Sequence, residues 1–309
     1  MRIQAGVLPG EKECNLEEEV VMKKTIKAAA ALLLSGLLAF SFAGCQQQET
    51  GAGDSTQSSV AESGAASEET SQDASEAADT EESSIDRIKA AGKIIMSTNA
   101  EFEPFEYMDG TDIVGIDVDI SKKIAEKLGV ELQINNTSFD ALTAELASGK
   151  CDFVAAGMSK DPTREESVDF SDPYFSATQS IIVLKDSDIK SSEDLAGKTI
   201  GVQLGTTGDQ YCTENVEGAD VQRMNKAVDA VSDLIAGRLD AVVVDNFPAK
   251  KLVANNSDKI MMLDEALTGE EYCIAVPKGD TELLDLINET LQEMEESGEL
   301  DEIVGNYMS

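Results

Sequence analysis

Short apolar runs alternate with helical patterns from Ile85 to the end of the chain. The run KIIMST (93–98) is typical of a buried strand, and DVDISKKIAEKLG (117–129) predicts a helix with its apolar residues on one face. Strands that are apolar almost throughout favour a mostly parallel sheet with helices on both faces, so we expect an α/β fold. Further strands are predicted at 152–156, 180–184, 199–202 and 241–245, and further helices at 139–149, 280–296 and 297–308.

Two segments repeat one design. LASGKCDFVAAG (146–157) and LIAGRLDAVVVD (234–245) share Leu, Gly, a basic residue, Asp and an apolar strand at matching positions. In each, a helix is predicted to end at the glycine and to lead into the strand through an Asp turn. The repetition favours two lobes of similar architecture, although such junctions are common in α/β proteins.

The charge of the chain disfavours several classes of function. It contains 60 Asp and Glu against 24 Lys and Arg, a formal net charge of −36. Nucleic-acid binding needs clustered cations that release counterions, so we expect no nucleic-acid partner. The chain has no histidine, which removes the usual side chain of metal sites and of acid–base catalysis near neutral pH. We therefore predict neither a metal site nor a cofactor.

The N-terminal part of the chain is predicted to be a signal region, 1–44. Residues 22–45 combine a basic start, an apolar run and small residues before Cys45, which is the pattern of a secretory signal. An acidic stretch precedes the basic start, so Met22 is the expected initiator and Met1 the alternative.

The end of this region resembles a lipobox, where cleavage precedes a cysteine that is then diacylated. The motif is FAGC, with Phe42 where Leu is usual. It predicts a lipid anchor at Cys45 that holds the folded part to the outer face of the cell membrane; an ordinary secretory signal with an incidental cysteine is the alternative. Residues 45–84 are predicted to be a disordered tether, because Val60 is their one larger aliphatic residue.

Three further cysteines lie in the predicted folded part. Cys151, Cys212 and Cys273 are odd in number and irregular in spacing, which argues against a disulfide framework. Cys151 and Cys273 adjoin strand-like runs and are expected to be small buried hydrophobes. A single disulfide between two of the three stays open.

Candidate site residues follow several predicted strands, where open α/β sheets bind ligands. One of them is a cation, one is an anion and two are hydroxyls near a predicted helix start, whose free N–H groups favour an anion. Together they would complement a zwitterion. They are Gly157, Ser159, Arg164, Thr206, Thr207 and Asp245.

Arg164 has two interpretations. Asp161, Glu165, Glu166 and Asp169 are close to it in sequence, and with such neighbours it would be an exposed ion pair worth about 0–1 kcal/mol. The alternative is that it binds an anion from outside the protein.

Several motifs in a fixed order resemble one known family. Over about 90–309 the chain is similar to the extracellular solute-binding proteins of family 3, the amino-acid receptors of ABC importers. The motifs are TNAEFEPFEY (98–107), GIDVDI (115–120), SFDALTAELASGKCDFVAAGMS (138–159), TREESVDFSDPYF (163–175), GKTIGVQLGTT (197–207), DAVVVDNFPA (240–249) and YCIAVPKGD (272–280).

The resemblance implies a periplasmic-binding-protein-like fold in which two α/β lobes close on a ligand. The first lobe would be discontinuous and comprise 85–173 plus 272–309. Residues 174–271 would hold the second lobe and two hinge strands, near 174–178 and 268–271.

The resemblance also implies roles for the site residues. Arg164 matches the arginine that grips the ligand's α-carboxylate, a task that suits a planar and permanently charged group. Asp245 matches the acid that accepts the α-ammonium. Further contacts to the ligand would come from Gly157, Ser159, Thr206 and Thr207.

The pocket for the ligand's side chain is predicted on the same basis. Phe102 and Phe139 match its aromatic lining, with core packing as the alternative for both. Asn99 stands where members that bind basic amino acids often have Asp, which disfavours a cationic ligand. Gln203 stands where some glutamine-binding members use Lys, and Glu101 would restore a negative charge if it pointed inward.

The resemblance implies a monomeric, non-catalytic receptor that delivers a polar amino acid to an ABC permease and its ATPase. Whether that amino acid is neutral, cystine-like or basic stays open. A dehydratase on the same fold, with Glu101 or Asp245 as its acid or base, is one alternative. A soluble receptor that serves a sensory system is another.

Overall fold

The computed structural model describes residues 83–308, which fall within one compact unit of the chain. The predicted signal region, Cys45 and nearly all of the predicted tether lie outside the described residues. Within 83–308, no helix combines the length and the apolar character that a membrane crossing requires.

The first lobe is built on a five-stranded sheet with the strand order β5–β1–β6–β13–β7. β1 pairs in parallel with β5 and β6, whereas β13 runs antiparallel to β6 and β7. The strands are β1 (Lys93–Thr98), β5 (Glu131–Asn136), β6 (Phe153–Val154), β7 (Val168–Phe170) and β13 (Ala275–Pro277).

Helices and a small sheet complete this lobe. The helices are α1 (Ser84–Ala91), α2 (Ile116–Leu128), α3 (Leu142–Ala147), α4 (Pro162–Glu165), α8 (Thr281–Ser297) and α9 (Glu299–Met308), and a 3₁₀ turn at Phe139–Ala141 precedes α3. The small antiparallel sheet consists of β2 (Glu101–Phe102), β3 (Glu106–Asp109) and β4 (Asp112–Val114).

The second lobe is built on another five-stranded sheet, with the order β10–β9–β11–β8–β12. Its strands are β8 (Phe175–Leu184), β9 (Thr199–Gln203), β10 (Asp220–Met224), β11 (Ala241–Asp245) and β12 (Ile260–Tyr272). Its helices are α5 (Thr207–Asn215), α6 (Ala227–Ile235) and α7 (Asn246–Asn255), with a 3₁₀ turn at Ser192–Leu195. The predicted two-lobed α/β fold is confirmed, and each sheet contains antiparallel as well as parallel pairs.

Helix α2 shows how the chain sets its elements locally. It begins after Gly115, where a Cβ atom would lie 2.1 Å from the Phe105 carbonyl oxygen, so only glycine allows this approach. It ends at Gly129, whose left-handed backbone lets its N–H bond back to the last turn. The apolar face between them, including Ile120 and Ile124, is buried against the sheet.

Strands β8 and β12 form a long antiparallel pair. At one end Thr178 pairs with Gly269, within the segments predicted as hinge strands, and Phe175 pairs with Tyr272, which directly follows the second segment. The register shifts on either side of Ala266 before the strands pair again near Leu184. That these segments act as the hinge, with the lobe boundaries given above, stays a prediction.

The cysteines of the folded part are all buried and free. Cys151 and Cys273 belong to the apolar core of the first lobe, and Cys212 belongs to that of the second. Burial raises the pKa of Cys212 and that of Cys273 to about 12, so both are thiols near neutral pH.

Candidate functional site

One cavity gathers every residue that sequence analysis assigned to ligand binding. The members from the first lobe are Asn99, Phe102, Phe139, Gly157, Ser159 and Arg164; those from the second are Gln203, Thr206, Thr207 and Asp245. The cavity therefore lies between the lobes, and each lobe supplies charged or polar groups to it.

Arg164 is fixed in the cavity by the short helix α4. Asp161 caps this helix by accepting hydrogen bonds from the backbone N–H groups of Thr163 (2.8 Å) and Arg164 (3.2 Å). The same carboxylate holds the guanidinium, because its Oδ2 lies 3.0 Å from Nε of Arg164. The guanidinium also donates to two carbonyls, from Nη1 to Ser159 at 2.5 Å and from Nη2 to Gly205 of the second lobe at 2.9 Å.

The structure excludes one of the two interpretations of Arg164, that of an exposed ion pair. The residue is only 8% exposed. Of its acidic neighbours in sequence, Glu165 pairs instead with Lys160 at 3.1 Å, and Asp169 pairs with Lys278 at 2.6 Å. Its one ion-pair partner within 83–308 is the buried carboxylate that caps its own helix.

Burial lowers the pKa of Arg164, and the nearby carboxylates of Asp161, Glu270 and Asp245 oppose that change. The guanidinium keeps its charge, since arginine is not deprotonated in proteins. Its central carbon lies 5.3 Å from the ring centroid of Phe139, within the range of a cation–π contact. Phe139 thus orients the cation as well as lining the cavity.

Thr206 and Thr207 stand at the start of α5. Thr206 caps the helix, with its hydroxyl accepting from the N–H of Asp209 at 3.2 Å and donating to the Gln203 carbonyl at 2.8 Å. Thr207 accepts from the Gln179 side chain at 3.1 Å. Backbone N–H groups in a first helical turn have no acceptor within their helix, and the helix dipole favours an anion there.

Asp245 ends β11 and is buried at the wall of the cavity. Its two oxygens accept from the hydroxyl of Tyr272 at 2.5 Å and from the side-chain amide of Gln179 at 2.6 Å. Burial raises the pKa of Asp245 to about 7; the charge of Glu270 adds to this rise, and the hydrogen bonds from Tyr272 and Gln179 oppose it. A cation in the cavity would favour the ionised form.

Another part of the cavity is lined by aromatic rings and neutral amides. The side chain of Gln203 donates to Asn99 at 2.9 Å, which joins the two lobes, and to the Asn225 carbonyl at 3.2 Å. Phe102 packs against Gly157, where a Cβ atom would lie 2.6 Å from the ring. Neither Asn99 nor Gln203 brings a charge to the cavity.

Glu101 does not line this cavity. Its carboxylate forms an ion pair with Lys226 of the second lobe. A second ion pair crosses between the lobes nearby, with Nζ of Lys251 3.3 Å from Oε1 of Glu103. The negative charge of Glu101 is therefore engaged by a lysine at the rim.

The sequence of this chain matches one known family. A sequence profile of the bacterial extracellular solute-binding proteins, family 3, matches residues 94–309. The chain belongs to this family. The resemblance expected from the motifs is confirmed.

Individual relatives of this solute-binding protein are binding proteins by name. The arginine-binding extracellular protein ArtP of Bacillus subtilis is 36% identical over 214 residues, which cover 68% of this chain and 84% of ArtP. The L-cystine-binding protein TcyJ of Escherichia coli is 31% identical over 217 residues, or 69% of this chain and 82% of TcyJ. A crystal structure of a mutant ArgBP from T. maritima superposes with a TM-score of 0.70 at 44% identity and covers 72% of this chain and 98% of ArgBP.

Sequence reasoning left out the residues that hold the site of this solute-binding protein in place. Two of them support Asp245, one binds the backbone of Gly157, and an ion pair between a buried aspartate and an exposed arginine supports the Thr206 loop. They are Gln179, Tyr272, Asp117, Asp209 and Arg223. Asp117 and Tyr272 stand inside the family motifs GIDVDI and YCIAVPKGD, which was a signal for their importance but not for their contacts.

Proposed function

We propose that this protein captures a polar amino acid between its lobes and delivers it to the permease of an ABC importer. The observation that carries the proposal is that a buried cation, Arg164, and a buried carboxyl group, Asp245, face one small cavity together with two hydroxyls. Membership of the solute-binding family supports this assignment.

The cation end of the cavity suits an α-carboxylate. The fork of Arg164 presents parallel donors that match a carboxylate's two oxygens, and its position is set by Asp161 and Phe139. Thr207 adds a hydroxyl donor, and Thr206 and Thr207 place the helix-terminal N–H groups of α5 at the cavity from the opposite lobe. A carboxylate held by both sides would stabilise the closed arrangement over the open one.

The Asp245 end suits an α-ammonium. Tyr272 and Gln179 fix the carboxyl group from behind, and burial away from water strengthens its attraction for a cation. Ser159 and Gly157 line the wall between the two ends.

The remaining lining favours a polar side chain. Phe102 and Phe139 offer aromatic faces, and Asn99 and Gln203 offer amides. ArtP and TcyJ are named for arginine and cystine, both of which are polar amino acids.

The mechanism proposed is reversible capture by a monomer, without covalent chemistry. The lobes would close about β8 and β12, and the closed form would dock on the permease of an importer driven by its ATPase. A lipid at Cys45 would keep the receptor at the outer face of the cell membrane, with 45–84 as the tether. An enzyme would convert the ligand, whereas this protein should return it unchanged.

The test is a thermal-shift screen of residues 46–309 against the amino acids and cystine, followed by calorimetry of each hit. A ligand at about 100 times its dissociation constant should stabilise the protein by about 2.7 kcal/mol. Arg164→Ala should abolish binding, because it removes the carboxylate partner, while Lys160→Ala should bind as the unsubstituted protein does.

Two results would contradict the proposal. One is unchanged affinity in a folded Arg164→Ala variant. The other is a hit that binds equally well as its α-amide or its N-acetyl derivative, since these derivatives lack the groups that Arg164 and Asp245 are proposed to recognise. Recovery of a chemically altered ligand would instead point to an enzyme.

A further inference from the structure

A carboxyl group lies unpartnered in the interior of the first lobe. Glu106, in β3, is 0% exposed, and neither of its oxygens has a hydrogen-bond donor within 83–308. It forms no ion pair with any described residue. A buried ionised carboxylate without donors or a cation would be very costly, so the state of this group needs an explanation.

The explanation lies in its neighbour, Asp117. This residue is also 0% exposed and stands in the first turn of α2, where its backbone N–H donates at 3.0 Å to the carbonyl of Phe105, the residue next to Glu106. Two carboxylates in contact cannot both be ionised away from water, but a neutral carboxylic acid donates a hydrogen bond to an ionised one. One proton on Glu106 therefore satisfies both groups.

Asp117 has the donors that an ionised carboxylate requires. Its Oδ2 accepts from the backbone N–H of Gly157 at 2.7 Å, and both of its oxygens lie 2.8 Å from the hydroxyl of Tyr174. With the proton of Glu106 it has three donors, whereas Glu106 has none of its own. The proton accordingly belongs on Glu106.

We propose that Glu106 and Asp117 share one proton as a positioning pair, which fixes the Gly157 wall of the ligand cavity to the start of strand β8. Gly157 lines the cavity, and Tyr174 immediately precedes β8. The pair thus joins a ligand-contacting segment to one of the two strands that connect the lobes. The positioning role rests on the proposed function, whereas the shared proton does not.

The position of Gly157 is demanding, which is why it needs support. Its backbone is left-handed, with φ of +51°, and its Cα faces the ring of Phe102 with no room for a Cβ atom. The bond from its N–H to Asp117 sets the approach of the backbone to the cavity. Without the proton on Glu106, repulsion between two adjacent negative charges would displace the carboxylate of Asp117 and break its hydrogen bond with the N–H of Gly157.

Among residues 83–308, the surroundings of the pair contain acids, and no cation forms an ion pair with it. Burial is the main cause that raises the pKa of Glu106 well above its usual value. The charge of Asp117, the hydrogen bond between Glu106 and Asp117, and the charge of Asp245 at the end of β11 raise it further. Burial raises the pKa of Asp117 to about 6 against the bonds from Gly157, Tyr174 and Glu106. Cys273, which is a neutral thiol near neutral pH, is a further titratable group near Tyr174.

The first experiment detects the proton without any ligand. Infrared spectra of residues 46–309 carrying Asp245→Asn, which removes the other buried carboxyl group whose pKa lies near 7, should show at pH 7 the C=O stretch of a protonated carboxylic acid, because exposed carboxyl groups are ionised there. Glu106→Gln should remove this band, and Glu131→Gln, at an exposed position of β5, should leave it. A band that survives in Glu106→Gln would overturn the shared proton.

The second experiment follows the positioning role by NMR at the amide proton of Gly157. In the unsubstituted protein this resonance should shift as pH is raised until the pair loses its proton. Glu106→Gln keeps a donor to Asp117 but has no proton to lose, so the shift on the alkaline side should disappear. A titration that is identical in both proteins would show that the pair does not hold Gly157.

Calorimetry then links the pair to ligand capture, with arginine and cystine as probes together with any hit of the amino-acid screen. At pH 7 Glu106→Gln should bind within about threefold of the unsubstituted protein, whereas Glu106→Leu, which lacks the donor to a charged group, should bind about tenfold more weakly. The affinity ratio of Glu106→Gln to the unsubstituted protein should rise with pH. Equal affinities of the Gln and Leu variants would overturn the positioning role, and absence of binding in all three proteins would instead count against the proposed function.

Discussion

At the scale of single residues, Asp245 makes ligand capture depend on pH. Its pKa is raised to about 7 in the folded, ligand-free protein, so below that pH a proton occupies the carboxyl group that the α-ammonium needs. The affinity for an amino acid should therefore fall as pH decreases through 7, approaching tenfold per pH unit. Calorimetry between pH 5 and 8 measures this slope.

Asp245→Asn provides the matching control for that slope. The variant keeps a side chain of the same shape for Tyr272 and Gln179 but carries no charge to oppose the ammonium. We expect a loss of about 100-fold in affinity at pH 8, since a buried charge is left unpaired, and no acidic slope. A slope that persists in the variant would assign the pH dependence to another group.

A second residue sets the class of ligand. Asn99 accepts a hydrogen bond from Gln203 through its side-chain oxygen, which aspartate also offers, and donates one to the Thr137 carbonyl at 2.8 Å, which aspartate cannot, so Asn99→Asp adds a charge and loses only the second bond. The ratio of arginine to glutamine affinity should increase about tenfold or more, because a cation would gain a buried partner. Asn255→Asp adds the same charge at an exposed position outside the cavity lining and should leave the ratio unchanged. An unaltered ratio in Asn99→Asp would remove this residue from the specificity pocket.

At the scale of elements, the segment around Gly157 combines two demands on one glycine. In Gly157→Ala the alanine would be strained by the left-handed backbone and would also clash with the ring of Phe102. In Gly110→Ala, at φ of +64° with open space around it, only the backbone would be strained. Strain of this kind costs about 1–3 kcal/mol. Both variants should lower the melting temperature, but only Gly157→Ala should weaken ligand binding. Equal affinities would show that Phe102 moves aside freely.

The elements also show which parts of the fold the sequence allows one to predict. β1 and β11 occupy 93–98 and 241–245 as predicted, because buried central strands are apolar almost throughout. β12 was not predicted from its pattern: it lies at the edge of its sheet, its continuous apolar run covers only 260–263, and several of the residues that follow are polar and exposed. Glu106 was missed for a related reason, since a charged residue gives no sign of burial until the partner that shares its proton is located.

The residues that line the candidate site were easier to predict than the residues that hold them in place. Arg164 and Asp245 lie within family motifs, at or after the ends of predicted strands, so local sequence was sufficient to nominate them. Gln179 and Tyr272 lie far from Asp245 in sequence and reach it only because β8 pairs with β11 and β12. Such contacts depend on the register of distant strands, which no local pattern encodes.

At the scale of the whole molecule, two ion pairs at the rim should influence how often the ligand-free lobes stay closed. Lys226 pairs with Glu101, and Lys251 pairs with Glu103, each across the cleft. Both pairs are partly exposed, so each contributes at most about 1 kcal/mol and is weakened by salt. The double variant Lys226→Ala/Lys251→Ala should therefore favour the open state at low ionic strength and lose that difference at high ionic strength. The radius of gyration from small-angle X-ray scattering measures the shift directly.

Lys122→Ala with Lys278→Ala removes the same number of charges from pairs that lie within the first lobe, with Asp119 and Asp169. This control separates the effect of the two rim ion pairs from the general effect of removing two cations from a chain that already carries a net charge of −36. If the control variant increases the radius of gyration as much as the rim variant does, general charge repulsion governs opening and the two rim ion pairs do not. If only the rim variant expands, its ligand affinity should fall by no more than the population of the closed state has fallen, because the contacts to the ligand are unchanged.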